Sequence, residues 1–369
     1  MSCIWNNSLK LSIFGESHGA GIGIVIDGIP SGVKIDFEKV KIEMARRRPG
    51  KDKFSTARKE LDEFEILSGY FNEFTTGTPL AILIKNTSQN SKDYSKTRDI
   101  ARPSHADYTG HVKYDGYNDY RGGGHFSGRI TAPLVFAGAL AKQILQLKNI
   151  EVYSYISAIG SQKSEYIDSL DLKSEIFSNL DKEFPILNKL DENRFKKEIL
   201  LAKEEGDSVG GKIRCIAYNL PIGLGSPFFE SMESKIASLA FSVPAVKGIE
   251  FGKGFDLSEL RGSVANDQMK IKDGRIAYIS NNNGGILGGI SSGMPIDFTV
   301  AIKATPSIFI EQDTINMKTV ENHKLAIKGR HDPCIVQRAV PVIESVMALA
   351  LLDGMLSTQK LGKWWSNEE

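Results

Sequence analysis

This chain of 369 residues predicts an α+β fold. Two observations carry that reading. Its strand-like and helix-like segments do not alternate as a regular βαβ series, which argues against a doubly wound parallel sheet. No fixed-period repeat and no low-complexity linker divides it, so one domain over residues 1–369 is expected. Apolar residues at 41% and charged residues at 25% suit a globular chain able to bury a substantial core.

The elements follow in order. Lys10 to Phe14 and Ile22 to Ile26 read as strands flanking a Gly15–Gly19 turn. Asp36 is an N-cap for a helix through about Arg47, with Phe37, Val40 and Met44 on one face and Pro49-Gly50 as its stop. Phe64 to Leu67 and Leu80 to Ile84 are short strands about a Thr75–Pro79 turn. Thr131 to Leu147 is the clearest helix, and Val152 to Ile159 is a strand. Residues 161–205, more charged and without glycine, read as a peripheral and mostly helical excursion. A strand over Lys212 to Tyr218, a helix over Phe228 to Phe241, a strand over Ile296 to Ile302 and a helix over Val342 to Leu356 complete the chain.

Bulk properties exclude some functions. A net charge of +1 gives no reason to expect nucleic-acid or membrane-surface binding. Cys3, Cys215 and Cys334 form no CxxC pair, and so sparse a set fits a reducing cytoplasm. Met1 to Phe14 carries no secretory pattern, and the apolar runs at 132–141 and 346–352 are too short to span a bilayer.

Four turns concentrate chemistry. They are Gly15-Glu16-Ser17-His18-Gly19, Arg102-Pro103-Ser104-His105-Ala106-Asp107, Arg121-Gly122-Gly123-Gly124-His125 and Gly329-Arg330-His331-Asp332-Pro333-Cys334. Five of the six histidines lie in or beside them, which a surface scatter would not produce. The first matches a G-x-S-x-G nucleophile elbow, but that motif needs a following helix. Here Ala20 to Ile26 is a glycine-interrupted, β-branched run, so a serine hydrolase is the weaker reading. Adjacent Ser17 and His18 side chains are also expected to diverge.

The runs Gly122-Gly123-Gly124 and Gly284 to Gly293 suit close backbone approach to a ligand, and their N–H groups could hold phosphate. Neither is a P-loop or a dinucleotide fingerprint. Arginine offers a planar fork for carboxylates and phosphates. Arg46, Arg47 and Arg48 taken alone read as a solvated helix end. With Arg102, Arg121, Arg129, Arg330 and Arg338 they point to a small substrate bearing several negative charges. No zinc-type spacing is present, so the histidines suit acid–base work better than metal ligation.

Taken together and in order, these segments resemble the chorismate synthase family. Arg46 to Gly50, Thr75 to Pro79, Ala245-Val246-Lys247-Gly248 and Arg338-Ala339-Val340-Pro341 join the likeness, which covers all but about 161–205. The resemblance implies an α+β fold, a layered β-α-β sandwich with antiparallel sheets inside and helices outside, and a cytoplasmic homotetramer. It implies a carbon–oxygen lyase of the shikimate pathway to aromatic amino acids. That enzyme makes chorismate from 5-enolpyruvylshikimate 3-phosphate by 1,4-elimination of phosphate with loss of the C6 proton. The reaction is redox-neutral yet needs reduced FMN.

Carried over by motif, His18 would protonate the leaving phosphate. His105 would act beside the flavin N1/C2 edge, and Asp332 would act with flavin N5 in removing the proton. Ser17 and Ser127 would hydrogen-bond nearby. Arg47, Arg48, Arg129 and Arg330 would hold substrate charges. Flavin contacts would come from His125, Phe126, Ser127, Pro244, Ala245, Gly288, Lys303, Ala304, Thr305, Pro306, Ser307 and Arg330. An outside flavin reductase is expected, because no reductase fingerprint occurs; Arg47 and Lys53 would meet NADPH were it the reductant. Two segments depart from the family. His125 to Thr131 stands where many members have Arg-x-Ser-Ala-Arg-Glu-Thr, and Lys303 to Ser307 moves the proline of Lys-Pro-Thr-x-Ser.

Overall fold

The computed structural model describes residues 3–50, 61–87, 98–172, 176–177, 180, 183–272, 274–327 and 332–358. Five antiparallel strands form the first sheet: β1 (Ile4–Asn6), β2 (Lys10–Gly15), β3 (Gly21–Asp27), β4 (Phe64–Ser68) and β5 (Leu80–Lys85), in the order β1-β2-β3-β5-β4. Ile24 lies opposite Ile13 on one side and Ile82 on the other. The period-2 alternation of a strand sends Ile22, Ile24, Ile26, Leu80, Ile82 and Ile84 to one face, and all six are buried. Between β3 and β4 runs α1 (Phe37–Arg47), where Asp36 accepts from the amides of Glu38 and Lys39. Val40 and Met44 are its buried stripe, as its spacing predicts.

The chain continues through α2 (Asp107–Lys113), α3 (Thr131–Gln146), β6 (Glu151–Ile159), β7 (Gln162–Lys163), α4 (Lys189–Glu204), β8 (Gly211–Tyr218) and α5 (Met232–Ser242). Then come β9 (Val246–Phe251), β10 (Ile296–Ile302) and α6 (Val336–Ser357). The second sheet is also antiparallel, in the order β9-β10-β8-β6-β7.

The α+β class, the antiparallel sheets and the β-α-β layering agree with expectation, and the helices form the inner layer. α3 and α6 pack on each other, α3 reaches β3 of the first sheet, and α6 covers β6 and β8 of the second. The helices therefore lie between the sheets. The cause is composition: Leu134, Val135, Phe136, Leu140 and Ile144 apolarise every side of α3, and such a helix has no face to give to water. Gly138 lets α6 approach closely, since a Cβ there would fall 2.1 Å from Ser345. α6 starts earlier than expected and carries Pro341 inside it. By length and composition it could cross a membrane, yet 94% of its apolar window is buried in this core.

The 161–205 segment is helical mainly in α4. Ahead of it, Leu172 and Phe177 pack with Tyr155 and Ile216 on the second sheet's outer face, so the excursion is a cover. Arg214 fastens it, pairing with Asp297 at 2.5 Å and donating to Ile167 O at 2.7 Å. The helix expected from Phe228 begins at Met232, because Ser231 Oγ caps it and Phe228 has a φ of +63°. Paired strands at Met269–Lys272 with Arg275–Tyr278 and at Gln312–Asn316 with Glu321–Leu325 are further elements the sequence reading did not separate.

Candidate active site

A cleft of about 1290 Å³ collects most of the singled-out residues. Arg47, Arg129, His105 and Asp332 line it. So do His125, Phe126 and Ser127, Pro244 and Ala245, and Lys303, Thr305, Pro306 and Ser307. Ser17, His18, Arg48, Ala304 and Gly288 are not in its wall; Ser17 and His18 sit behind the wall residue Gly122, and Gly288 lies between Leu287 and Gly289, in a short hairpin elsewhere. Arg330, His331 and Lys53 lie outside the described residues.

The glycine run builds the wall. Gly122, Gly123 and Gly124 have φ of +60°, +85° and +54°, a region that favours glycine. A Cβ on Gly122 would meet His18 Nδ1 at 2.1 Å and Ser17 Oγ at 3.1 Å. A Cβ on Gly123 would meet His105 Nε2 at 3.3 Å. Absent side chains thus make room for two histidines, His18 behind Gly122 and His105 against Gly123. Ser17 and His18 do not diverge; both turn toward Gly122. Ser17 N donates to Gly124 O at 3.1 Å, and the His125 ring nitrogen Nδ1 lies 2.8 Å from Gly15 O. These contacts lock the His18 turn onto the run. We expect Gly122→Ala to displace His18 and lower turnover by about tenfold or more, since an ångström of misplacement can cost about 10²-fold. Steady-state rates on the folded variant check this.

The hydrolase reading loses its context. Ser17 is 3% exposed, and β3 follows it where an elbow requires a helix. Cysteine chemistry also has little purchase, since burial pushes the Cys334 thiol up to about 12.

The arginines are not a solvated helix end. Arg47 Nη2 donates to Asp62 Oδ2 at 2.6 Å, and Arg129 Nη1 donates to Asp62 Oδ1 at 2.7 Å. Burial would raise the Asp62 pKa, but the two guanidiniums outweigh it and hold the carboxyl below its usual range. Arg129 Nε donates to Asn86 Oδ1 at 2.7 Å, and Asn86 Nδ2 donates to Glu16 O and Gly19 O. The same network therefore fixes the His18 turn.

Asp332 is held by Arg338, whose Nη1 lies 2.5 Å from Oδ2 and whose Nε donates to Arg47 O at 3.1 Å. Thr305 Oγ1 donates to Asp332 O at 2.9 Å. Lys303 Nζ donates to Ser104 O at 2.5 Å, beside His105. Burial, then the nearby Lys247, holds the Lys303 pKa below its usual value. A histidine, a carboxylate, three arginines and a lysine (His105, Asp332, Arg47, Arg129, Arg338 and Lys303) thus meet in one cleft.

A family model described as chorismate synthase matches residues 9–356. The chain belongs to the chorismate synthase family. A relative from Dehalococcoides mccartyi, named chorismate synthase, is 47% identical over 93% of this chain and 94% of its own length. One from Pyrococcus abyssi with that name is 47% identical over 94% and 96%. A crystal structure titled as chorismate synthase superposes with a TM-score of 0.75 at 30% identity, over 96% of this chain and 93% of that one. The chain is accordingly an enzyme of the lyase class and a chorismate synthase by family.

Three residues of the site escaped sequence reading. Asp62 lies 15 positions from Arg47 and 67 from Arg129, and no local pattern marks it. Asn86 follows a strand like any polar loop residue. Arg338 was noted as part of a motif, but its partner Asp332 is brought near only by the turn before α6.

Proposed function

We propose that this chain converts 5-enolpyruvylshikimate 3-phosphate to chorismate and inorganic phosphate with reduced FMN present. The C3–O bond to phosphate breaks, the C6–H proton is lost, and a double bond forms. The observation that carries the reading is the placement of His18 and His105 on neighbouring glycines, with Asp332 and the Asp62-clamped arginines at the same cleft. The substrate's two carboxylates and phosphate suit Arg47 and Arg129, with Arg48 and Arg330 as further donors. Among the described residues, the buried Nε of Arg47, which lines the cleft, has no hydrogen-bond partner, as a donor awaiting an anion would.

His18 supplies the proton to the leaving phosphate. Asp332 takes the C6 proton, its carboxylate oriented by Arg338. Ser17 Oγ, buried and without a partner among the described residues, fits a hydrogen bond beside the phosphate. Ser127 orients Arg129, accepting from its backbone amide at 3.4 Å.

The residues present fit a flavin. Ala245 turns the wall with a φ of +74°, Phe126 offers an aromatic face, and Lys303, Thr305 and Ser307 offer donors for a flavin phosphate. His125, Pro244, Ala304, Pro306 and Gly288 complete the set we assign to it. Reduced flavin, when bound, would lend electron density as phosphate departs and recover it, so that no net reductant is consumed.

The flavin is taken to be reduced by an outside enzyme, and NADPH, if used directly, would meet Arg47 and Lys53. A cytoplasmic homotetramer is the proposed form. Met269, Ile271 and Ile276 are exposed on one paired-strand arm, an apolar surface suited to covering by further copies. Purified protein with pre-reduced FMN should release phosphate from the enolpyruvyl substrate anaerobically. No release would refute the reading, and chorismate formed aerobically from NADPH and FMN would refute outside supply.

A further inference from the structure

The loop that leaves the 161–205 excursion reaches the site. Gly206, with a φ of +72°, follows α4 and turns the chain, and Asp207 N donates back to Ala202 O at 2.8 Å. On one side the loop takes hold of residues 303–309. Phe309 N donates to Gly206 O at 2.8 Å, and Ser208 Oγ donates to Thr305 O at 2.7 Å. On the other side Val209 N donates to Pro333 O at 2.8 Å. Gly210 lies tight against the start of the first stretch, since a Cβ there would fall 2.3 Å from Ile302 O and 2.9 Å from Ala304 N.

Thr305 closes the chain of contacts. Its Oγ1 donates to Asp332 O at 2.9 Å. The carbonyls of Asp332 and Pro333 are thus held in succession, one by the Thr305 hydroxyl and one by the Val209 amide. Ser208, next to Val209 and bonded to Thr305, joins the two holders. Arg338 holds the carboxylate at the other end of Asp332. The guanidinium sets where that carboxylate points, and the main-chain bonds set where the residue stands. A threonine hydroxyl has one hydrogen to give, and here Asp332 O receives it. What Thr305 offers a flavin phosphate is therefore its amide.

We propose that Ser208 is a positioning residue for Asp332, acting through Thr305. The excursion is then more than a cover for the second sheet, because its exit loop fixes the depth at which Asp332 stands in the cleft. The catalytic part of this inference rests on the proposed reaction, in which Asp332 takes the C6 proton; the chain of hydrogen bonds does not. A serine that merely fastened a surface loop would affect stability and leave the turnover of folded protein alone. A positioning serine affects turnover, and only while Asp332 is there to be positioned. The two roles therefore part in a double-variant comparison, where residues that act as one unit give non-additive effects.

The test measures turnover on the full chain as wild type, Ser208→Ala, Asp332→Ala and the double variant. Ser208→Ala should lower turnover about tenfold while the substrate KM changes by less than about threefold. Ser208→Thr keeps the hydroxyl and should regain most of the rate. In the Asp332→Ala background, Ser208→Ala should cost less than about twofold. Unchanged turnover in folded Ser208→Ala overturns the proposal, and so does a tenfold loss that recurs in full without Asp332. Amide hydrogen exchange reads the chain of bonds with no substrate present. The Val209 amide should be protected in the wild type and exchange about tenfold faster or more in Ser208→Ala. Equal exchange in the two proteins overturns the link between Ser208 and the Asp332 turn. If exchange behaves as expected and no form turns over, the reaction assigned to the chain is wrong and the link stands.

Discussion

Alanine at His105 or at Asp332 is expected to slow turnover about 10²- to 10⁴-fold, the usual contribution of a positioned acid or base. Both side chains reach the cleft; Arg338 aims Asp332, and Arg102 Nη2 lies 3.2 Å from His105 Nδ1. Their side chains remain 16% and 12% exposed, so truncation leaves space that water can enter, not a dry cavity. Stability should therefore change little. Because the roles belong to the transition state, kcat and kcat/KM should fall together, with little rise in KM. Anaerobic phosphate release with pre-reduced FMN measures the rates, and thermal unfolding confirms the fold. Near-wild-type rates in both variants would refute the assigned roles.

The fold was legible where one physical signal dominated. Alternation placed Ile22, Ile24 and Ile26 on a buried face of β3, and Asp36 with Val40 and Met44 marked α1. The helical middle layer was legible too, in the all-round apolarity of α3. The site was legible where chemistry is local. The His18 and His105 turns announce themselves by glycine, proline and charge within a few residues. What was not legible is what these groups lean on. Glycine at 122 and 123 suggested backbone close to a ligand; the structure adds that it makes room for two imidazoles. Asp62 could not be read at all, because its two arginines reach it from α1 and from the turn before α3. Tertiary contacts between charged side chains leave no period and no spacing in the chain.

Glu344 illustrates the same point and gives the largest expected effect on stability. It and Asp353 are the two acids of the mostly apolar α6. Its side chain is 4% exposed and takes a bidentate fork from Arg46, Nη1 to Oε2 at 2.6 Å and Nη2 to Oε1 at 2.8 Å. Lys142 Nζ donates to Oε2 at 2.8 Å, and Ser154 Oγ donates to Oε1 at 3.2 Å. One carboxylate thus ties α1, α3 and β6 to α6. Glu344→Gln should cost about 3–5 kcal/mol in urea unfolding at pH 7, because it leaves Arg46 and Lys142, both little exposed, with Glu43 as their one remaining carboxylate among the described residues. Replacing Arg46, Lys142 and Glu344 together by methionine should cost far less, since no unpaired charge then remains and Glu43 can face water. The pH dependence separates this from a packing effect. Burial would raise the Glu344 pKa, but Arg46 and Lys142 outweigh it and hold the carboxyl well below its usual range. A depressed folded-state pKa stabilises fully above the unfolded value, about 4.3, and loses that contribution as pH falls toward the folded value. The gap between wild type and Glu344→Gln should therefore be constant near neutrality and narrow below about pH 4. A gap that stays level into acid would mean that shape, and not charge, is what Glu344 contributes.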